Sequence, residues 1–390
     1  MGAAPIISGM GNPAIRSFRI AVPDGDLTDL RERLRRTRWP ERECVTDWSQ
    51  GIPLDYTREL AGYWADGYDW RAREAGLNAF DQFVTEIDGL DIHFVHERSA
   101  DPTAPALLIT HGWPGSVVEF SKVIGPLSRD FHLVCPTLPG YGFSGKPSAA
   151  GWTVQRIAGA WDVLMRRLGY RRYGAQGGDW GAAVTTEIGR RAGAVTPGGT
   201  GCVGIHTNMP IAAPRGDLSS PTADEAEALT ALAHYRKWEA GYSKQQSTRP
   251  QTLGYGLADS PVGQLAWIVE KFQAWSDCDG HPENVFTRDE LLDNVMMYWV
   301  TNSAASSARL YWESFGAMGG TGRAPAKVPV PTGVARFPKE ILKVPRSWCE
   351  AAYTLVRWTD MPRGGHFAAF EQPDEFVADV REFFTTAVPW

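Results

Sequence analysis

The sequence predicts an α/β protein, with a largely parallel sheet flanked by helices, a cover formed by residues 1–82 and a helical lid inserted late in the chain. Three observations carry this expectation. Between residues 83 and 206 short apolar runs alternate with amphipathic stretches, the pattern of strands joined by crossover helices. The alternation then stops, and a helix-patterned, aromatic segment at 207–323 intervenes before strand-like runs return within 324–390. Finally, Gly177-Gly178-Asp179-Trp180-Gly181 joins an extended run to an amphipathic one, and its small flanking residues let the central residue take strained dihedrals.

Taken in order, residues 18–22 alternate like a strand, and 24–39 read as a helix with Leu27, Leu30 and Leu34 on one face, stopped by Pro40. A second helical stretch at 54–80 carries Tyr56, Trp64, Tyr68 and Trp70 but no catalytic constellation, so this part serves as a cover. Residues 83–87 and 90–96 form a hairpin about Asp88-Gly89, a strong turn pair. His93 and His96 fall on opposite faces of that second strand, which argues against a shared metal. The strand 106–110 runs into His111-Gly112-Trp113-Pro114-Gly115-Ser116, followed by a helix at 117–127, a strand at 131–136, a helix at 154–168 and the strand leading to Asp179. In such a sheet ligands sit at the carboxyl ends of strands, where Asp179 and the His111 loop both fall.

Gly140-Tyr141-Gly142-Phe143-Ser144-Gly145 matches a dinucleotide fingerprint in letters only. Lys146-Pro147 follows it instead of a helix, so a glycine-rich wall of the site is the better reading, and no cofactor is implied. Within the lid, helices are expected at 223–240, 262–275 and 287–310. Strands at 328–334 and 354–358, the loop Arg363-Gly364-Gly365-His366-Phe367 and a helix at 374–385 close the chain.

Composition narrows the function classes. A net charge of −6 gives no footprint for nucleic acid or for an anionic membrane, and no run of eighteen apolar residues is present to span one. Residues 1–17 do not read as a secretory leader, and Ile6 stands where an acylation site wants Ser or Thr. Five scattered cysteines without CxxC spacing fit reduced thiols in a cytoplasm better than a disulfide framework or a metal site. Of the 16 Trp, 16 Phe and 12 Tyr most belong to a core, and the surplus of Trp suits a pocket for a bulky apolar ligand.

Chemistry converges on Asp179. A carboxylate is ionised at neutral pH without a base and can attack carbon directly, and the helix opening at Trp180 favours the anion. The order Asp179, Glu340, His366 is that of nucleophile, acid and histidine in an α/β-hydrolase fold, here with an N-terminal meander and an inserted helical lid. Glu340 follows the preceding strand and is preferred over Asp360 as the acid that orients His366. The amides of Trp113 and Trp180 offer the two donors of an oxyanion hole, while His111 braces its loop and Pro114 is a candidate for a cis bond.

The segments 111–116, 176–181 and 363–371, with Phe18-Arg19-Ile20 and Leu30-Arg31-Glu32-Arg33-Leu34 through Arg38-Trp39-Pro40, resemble the microsomal-type epoxide hydrolases over residues 17–388. Within that family the chain is most similar to actinomycete members of enediyne antibiotic pathways. The resemblance implies Tyr242 and Tyr311 as lid phenols that hydrogen-bond an epoxide oxygen, matches Glu340 to the acid of a Phe-Pro-x-Glu segment, and implies epoxide and water as the small-molecule partners. Substrate contacts would then come from His111, Pro114, Trp180, Tyr242 and Tyr311. Members that bind membranes carry an N-terminal anchor that residues 1–17 do not resemble. Two rivals stand beside this reading. A haloalkane-type dehalogenase would use the same Asp but has no need of two phenols, and a small-molecule binding protein on this scaffold would be expected to have lost a catalytic residue. Apolar lid faces would permit a homodimer.

Overall fold

The structure is a computed structural model that describes residues 14–193, 200–214, 218–318 and 325–390. The leader and acylation readings, and the expected lid boundary at 323, lie wholly or largely outside these residues.

The cover begins with β1 (Arg16–Phe18), α1 (Asp24–Arg35), α2 (Leu54–Asp66) and α3 (Trp70–Leu77). The expected strand at 18–22 is thus earlier and shorter, and the stretch 54–80 is two helices. The physical reason for the break is local: Gly67 ends α2, and the Asp69 side chain caps α3 by accepting from the Ala72 amide. β2 (Gln82–Ile87) and β3 (Leu90–Glu97) form the hairpin, with Asp88 and Gly89 both at positive φ (53° and 77°), as a primed turn requires.

β4 (Ala106–Thr110) and β5 (His132–Pro136) follow, both buried throughout. The helix expected at 117–127 is instead a 3₁₀ turn (Val117–Phe120) and a single α-turn, α4 (Ile124–Leu127), since Pro126 has no N–H to give the Lys122 carbonyl and is tolerated only in the first turn of a helix. Next come α5 (Val154–Arg167), β6 (Arg172–Gly177), α6 (Asp179–Arg191) and β7 (Gly201–Thr207). The sheet resumes with β8 (Val328–Arg336) and, after α13 (Arg346–Ala352), β9 (Tyr353–Asp360), before α14 (Ala368–Glu371) and α15 (Pro373–Thr386). The nine strands run β1-β2-β3-β5-β4-β6-β7-β8-β9; β1, β2 and β3 pair antiparallel and β4 through β9 parallel.

Between β7 and β8 lies the lid: α7 (Ala223–His234), a π-helical turn (Tyr235–Glu239), α8 (Gly241–Thr248), α9 (Pro250–Asp259), α10 (Pro261–Trp275), α11 (Arg288–Trp299) and α12 (Ala304–Met318). The expected helix at 223–240 gives way to the π turn, and the one at 287–310 is interrupted at Asn302, whose φ is 49°. The cover clasps the lid with polar side chains. Arg73 Nε donates to both carboxylate oxygens of Asp293 at 2.9 Å, and the Tyr68 hydroxyl donates to the same group at 2.7 Å. Among the described residues no helix is long and apolar enough to cross a membrane.

Candidate active site

Asp179 sits on the turn between β6 and α6 with φ at 49°, a left-handed conformation that costs a non-glycine residue about 1 kcal/mol. Its neighbours explain how the turn is held. A Cβ on Gly181 would lie 1.8 Å from the Thr110 carbonyl oxygen, and one on Gly177 would lie 2.3 Å from Gly181. The turn is therefore clamped against the end of β4, and only glycine fits at both positions. The Trp113–Pro114 bond is cis, and the Trp113 amide donates to Asp179 Oδ1 at 2.8 Å. Burial pushes the Asp179 carboxyl above its ordinary value, opposed by the His366 charge and by the Trp113 and Trp180 amides.

His366 Nε2 lies 3.7 Å from Asp179 Oδ2, and its Nδ1 is 2.6 Å from Glu340 Oε1. Glu340 comes from the loop after β8, which pairs with the His366 loop through the Lys339 amide and the Gly364 carbonyl at 3.1 Å. Asp360 is excluded from the site: it faces solvent and accepts from Arg336 Nε at 2.5 Å. Burial acts to lower the His366 pKa, but the Glu340 and Asp179 carboxylates outweigh it and raise it to about 9. The ring thus holds its proton at neutral pH, with the Asp179 carboxyl on its Nε2 side and the Glu340 carboxyl on its Nδ1 side.

Five phenols feel the Asp179 charge. Tyr141 and Tyr298 are committed to the carbonyls of Ser307 and Gly115, at 3.1 and 2.6 Å. Tyr242, on α8, and Tyr311, on α12, are not tied to the backbone; Tyr242 shares a 2.9 Å hydrogen bond with the Tyr235 hydroxyl, and the buried Tyr311 hydroxyl has no partner. Burial drives the pKa of both well above that of an ordinary phenol, so both are protonated. The Tyr242 ring stacks on Trp113 with centroids 5.0 Å apart, and Tyr311 meets Trp180 edge-on at 4.7 Å. The structure therefore brings together Asp179, His366, Glu340, Tyr242, Tyr311, Trp113 and Trp180. His111 is different: its Nδ1 lies 2.9 Å from the Gly112 carbonyl and its Nε2 accepts from the Leu138 amide at 3.2 Å, so no ring nitrogen is left for a substrate. Its bracing function is the one this geometry supports, and as a polar substrate contact it drops out.

Several residues escaped the sequence reading. Glu371 accepts from the Gly365 and Phe367 amides, both at 3.0 Å, and so fixes the loop on either side of His366. Trp275 packs on His366 and on Tyr242, with centroids 5.1 and 5.0 Å away, and its carbonyl accepts from the His366 amide at 2.9 Å. Tyr235 stands seven residues before Tyr242, a same-face spacing for a helix that could have flagged it. Glu119 closes a Ser-x-x-Glu capping pattern after the cis turn, which was visible but reads as local structure. Gly140 and Gly142, with φ at 83° and 41°, form a closed turn under α12, where Ser306 Oγ donates to the Gly140 carbonyl at 2.5 Å. The turn thus packs beneath the first turn of this lid helix. Among the described residues no group of three or more His, Cys, Asp or Glu side chains could hold a metal.

Residues 15–120 match the family described as epoxide hydrolase N terminus, and residues 105–192 match the alpha/beta hydrolase fold. Epoxide hydrolase 1 of Oryctolagus cuniculus is 35% identical over 98% of this chain and 90% of its own length. A chain of Stigmatella aurantiaca (strain DW4/3-1), provisionally named an epoxide hydrolase, is 50% identical over 95% of this chain and 84% of its own length. This chain belongs to the epoxide hydrolase family. The Aspergillus niger epoxide hydrolase structure superposes with a TM-score of 0.85 at 33% identity, covering 95% of this chain and 96% of that one. The likeness thus extends over cover, α/β-hydrolase core and lid together, and it makes this member a hydrolase.

Proposed function

We propose that this epoxide hydrolase converts its substrate to a vicinal diol in two steps through an ester on Asp179. In the first, Asp179 attacks a ring carbon from behind, the carbon–oxygen bond breaks, and Tyr242 and Tyr311 give the leaving oxygen its hydrogen bonds and a proton. In the second, His366 takes a proton from water, the water oxygen bonds to Asp179 Cγ, and the Trp113 and Trp180 amides hold the oxyanion. Collapse of that intermediate breaks the bond between Cγ and the ester oxygen, which takes the water's second proton as the diol leaves, while the proton that His366 sheds on esterification restores the phenols.

The observation that carries this reading is the geometry about His366: its Nε2 faces Asp179 Oδ2 at 3.7 Å and its Nδ1 faces Glu340 Oε1 at 2.6 Å, so that two carboxylate charges favour its protonated form. Esterification removes one of those negative charges. The His366 pKa then falls, and the group that could not act as a base in the first step becomes one in the second. A single turnover in heavy-oxygen water tests the scheme. The expected diol is unlabelled, with the label retained in Asp179; label in that first diol would overturn the ester route. His366→Gln is expected to accumulate an enzyme heavier by the mass of the substrate.

The aromatic enclosure of Trp113, Trp180, Trp275, Tyr242 and Tyr311 supports a bulky aryl epoxide as substrate, and the sequence resemblance noted above supports a place in enediyne-type secondary metabolism. Rates across a panel of styrene-like and linear alkyl epoxides test the first of these, with faster alkyl turnover counting against it. Five unpaired cysteines support a reducing, cytoplasmic setting, and exposed Trp238, Tyr255 and Trp312 on the lid support a homodimer, which light scattering would test.

A further inference from the structure

A small cavity beside Asp179, lined by none of the phenols, is bordered by Asp179, His366, Glu119, Gln176 and Asn208, its remaining wall including Phe120, Ala368 and Phe376. Its volume of about 20 Å³ is room for one water molecule. The polar atoms around it are unusually incomplete. Gln176 Oε1 is buried without a hydrogen-bond partner, while its Nε2 is fixed by donation to Asn208 Oδ1 at 3.1 Å. The amide is thereby oriented with its acceptor unused. The Glu119 carboxyl reaches back toward Ser116 and lies where a side chain on residue 115 would otherwise be, because a Cβ on Gly115 would fall 1.1 Å from Glu119 Oε1. Glycine at 115 therefore makes space for this carboxyl.

Resting on the two-step reading above, we propose that Glu119 and Gln176 position the hydrolytic water in this cavity, against His366 and the carbonyl carbon of the Asp179 ester. The substrate fills the phenol side, so the attacking water must reach Cγ from elsewhere while one of its protons points to His366 Nε2. The other proton needs an acceptor, and Gln176 Oε1 is one with no competing donor. Glu119 completes the cage. Burial raises its pKa to about 8, with the neighbouring Asp179 charge adding to that and His366 opposing it. Near neutral pH it is accordingly an uncharged acid that can both donate to and accept from the water without repelling the oxyanion formed beside it. The proton leaves water for His366, the oxygen stays in Asp179, and neither Glu119 nor Gln176 changes its bonding. Both are positioning residues.

Rapid-mixing single turnovers with an excess of enzyme over styrene oxide, quenched for intact mass, read ester formation and ester breakdown separately. Glu119→Ala is expected to slow breakdown by about tenfold or more while ester formation stays within about threefold, because a displaced nucleophile costs the step it serves. Glu119→Gln keeps a donor and an acceptor in the same place and is expected to retain breakdown within about threefold of the parent. Gln176→Ala should repeat the selective loss, and it carries the test should Glu119→Ala fail to fold. Equal slowing of both steps, unchanged breakdown in Glu119→Ala and Gln176→Ala, or a loss in Glu119→Gln as deep as in Glu119→Ala would each overturn the proposal. If the parent and His366→Gln both form no ester, it is the two-step reading that fails.

Discussion

On the core side of Asp179 every reacting group is tied down by the main chain, whereas on the lid side the phenols are held by ring packing. His366 is pinned through its own amide to the Trp275 carbonyl, through Glu371 on both flanks, and through Glu340 at 2.6 Å. Tyr242 and Tyr311 instead lie against Trp113, Trp180 and Trp275, and the helices that carry them reach the site from an insertion braced by the cover. The difference has a physical rationale. A charge relay is sensitive to sub-ångström distance, so it is built where hydrogen bonds fix the backbone. Side chains beside a cleft that a ligand must enter and leave are better placed on an element that can shift as a unit.

The contrast can be broken most forcefully at the core. Asp179→Ala is expected to lower turnover by about 10⁴-fold or more, read by diol formation, since it removes the attacking carboxylate of the two-step scheme. On the lid side, Tyr242→Phe and Tyr311→Phe should each slow ester formation by about 10²-fold while leaving ester breakdown near the parent rate, as measured in single turnovers. If either variant slowed breakdown instead, the division of labour between the two sides would be wrong. The brace itself is addressed by Asp293→Ala, which leaves the Tyr68 hydroxyl and the Arg73 guanidinium without their acceptor. A loss of about 3 kcal/mol in unfolding free energy is expected by denaturant titration.

Effects of pH are smaller and have a definite sign. His366 holds its proton to about 9 in the folded chain and Glu119 to about 8, both above their ordinary values. For the imidazole, the stabilisation is full below about 6.5 and is lost as pH rises through about 9; for the carboxyl, ionisation of the unfolded chain erodes stability from about 4.5 up to about 8. The melting temperature should therefore fall between about pH 6.5 and 9, and Glu119→Gln should flatten part of that slope. Smallest of all is Asp360→Asn, which touches only the solvent-facing Arg336 and Trp358 and should leave turnover unchanged. A large loss there would reopen the choice between the two acids.

What could be read from letters follows from how local the physics is. The turn at Asp179 was legible because its glycines and the flanking periodicities are all within a dozen residues, and the primed hairpin at Asp88-Gly89 for the same reason. The choice of Glu340 over Asp360 needed only the strand that precedes it, and the pairing of Lys339 with Gly365 carries it through. Helix ends were misjudged where one residue's conformation decided them, as at Asn302, or where a proline lacked the amide to continue the helix, as at Pro126. His111 looked like a substrate contact until its two ring nitrogens found the Gly112 carbonyl and the Leu138 amide.

The sequence by itself determined the strand-turn-helix that exposes one carboxylate, the order of its partners and the presence of a lid, because these depend on short-range pattern and on side-chain chemistry. Only the tertiary structure decided which of five nearby phenols remain untied from the backbone, and that Glu119 and Gln176 border with Asp179 a space the size of one water. Those outcomes depend largely on contacts between segments distant in sequence, and burial there sets which groups keep their protons.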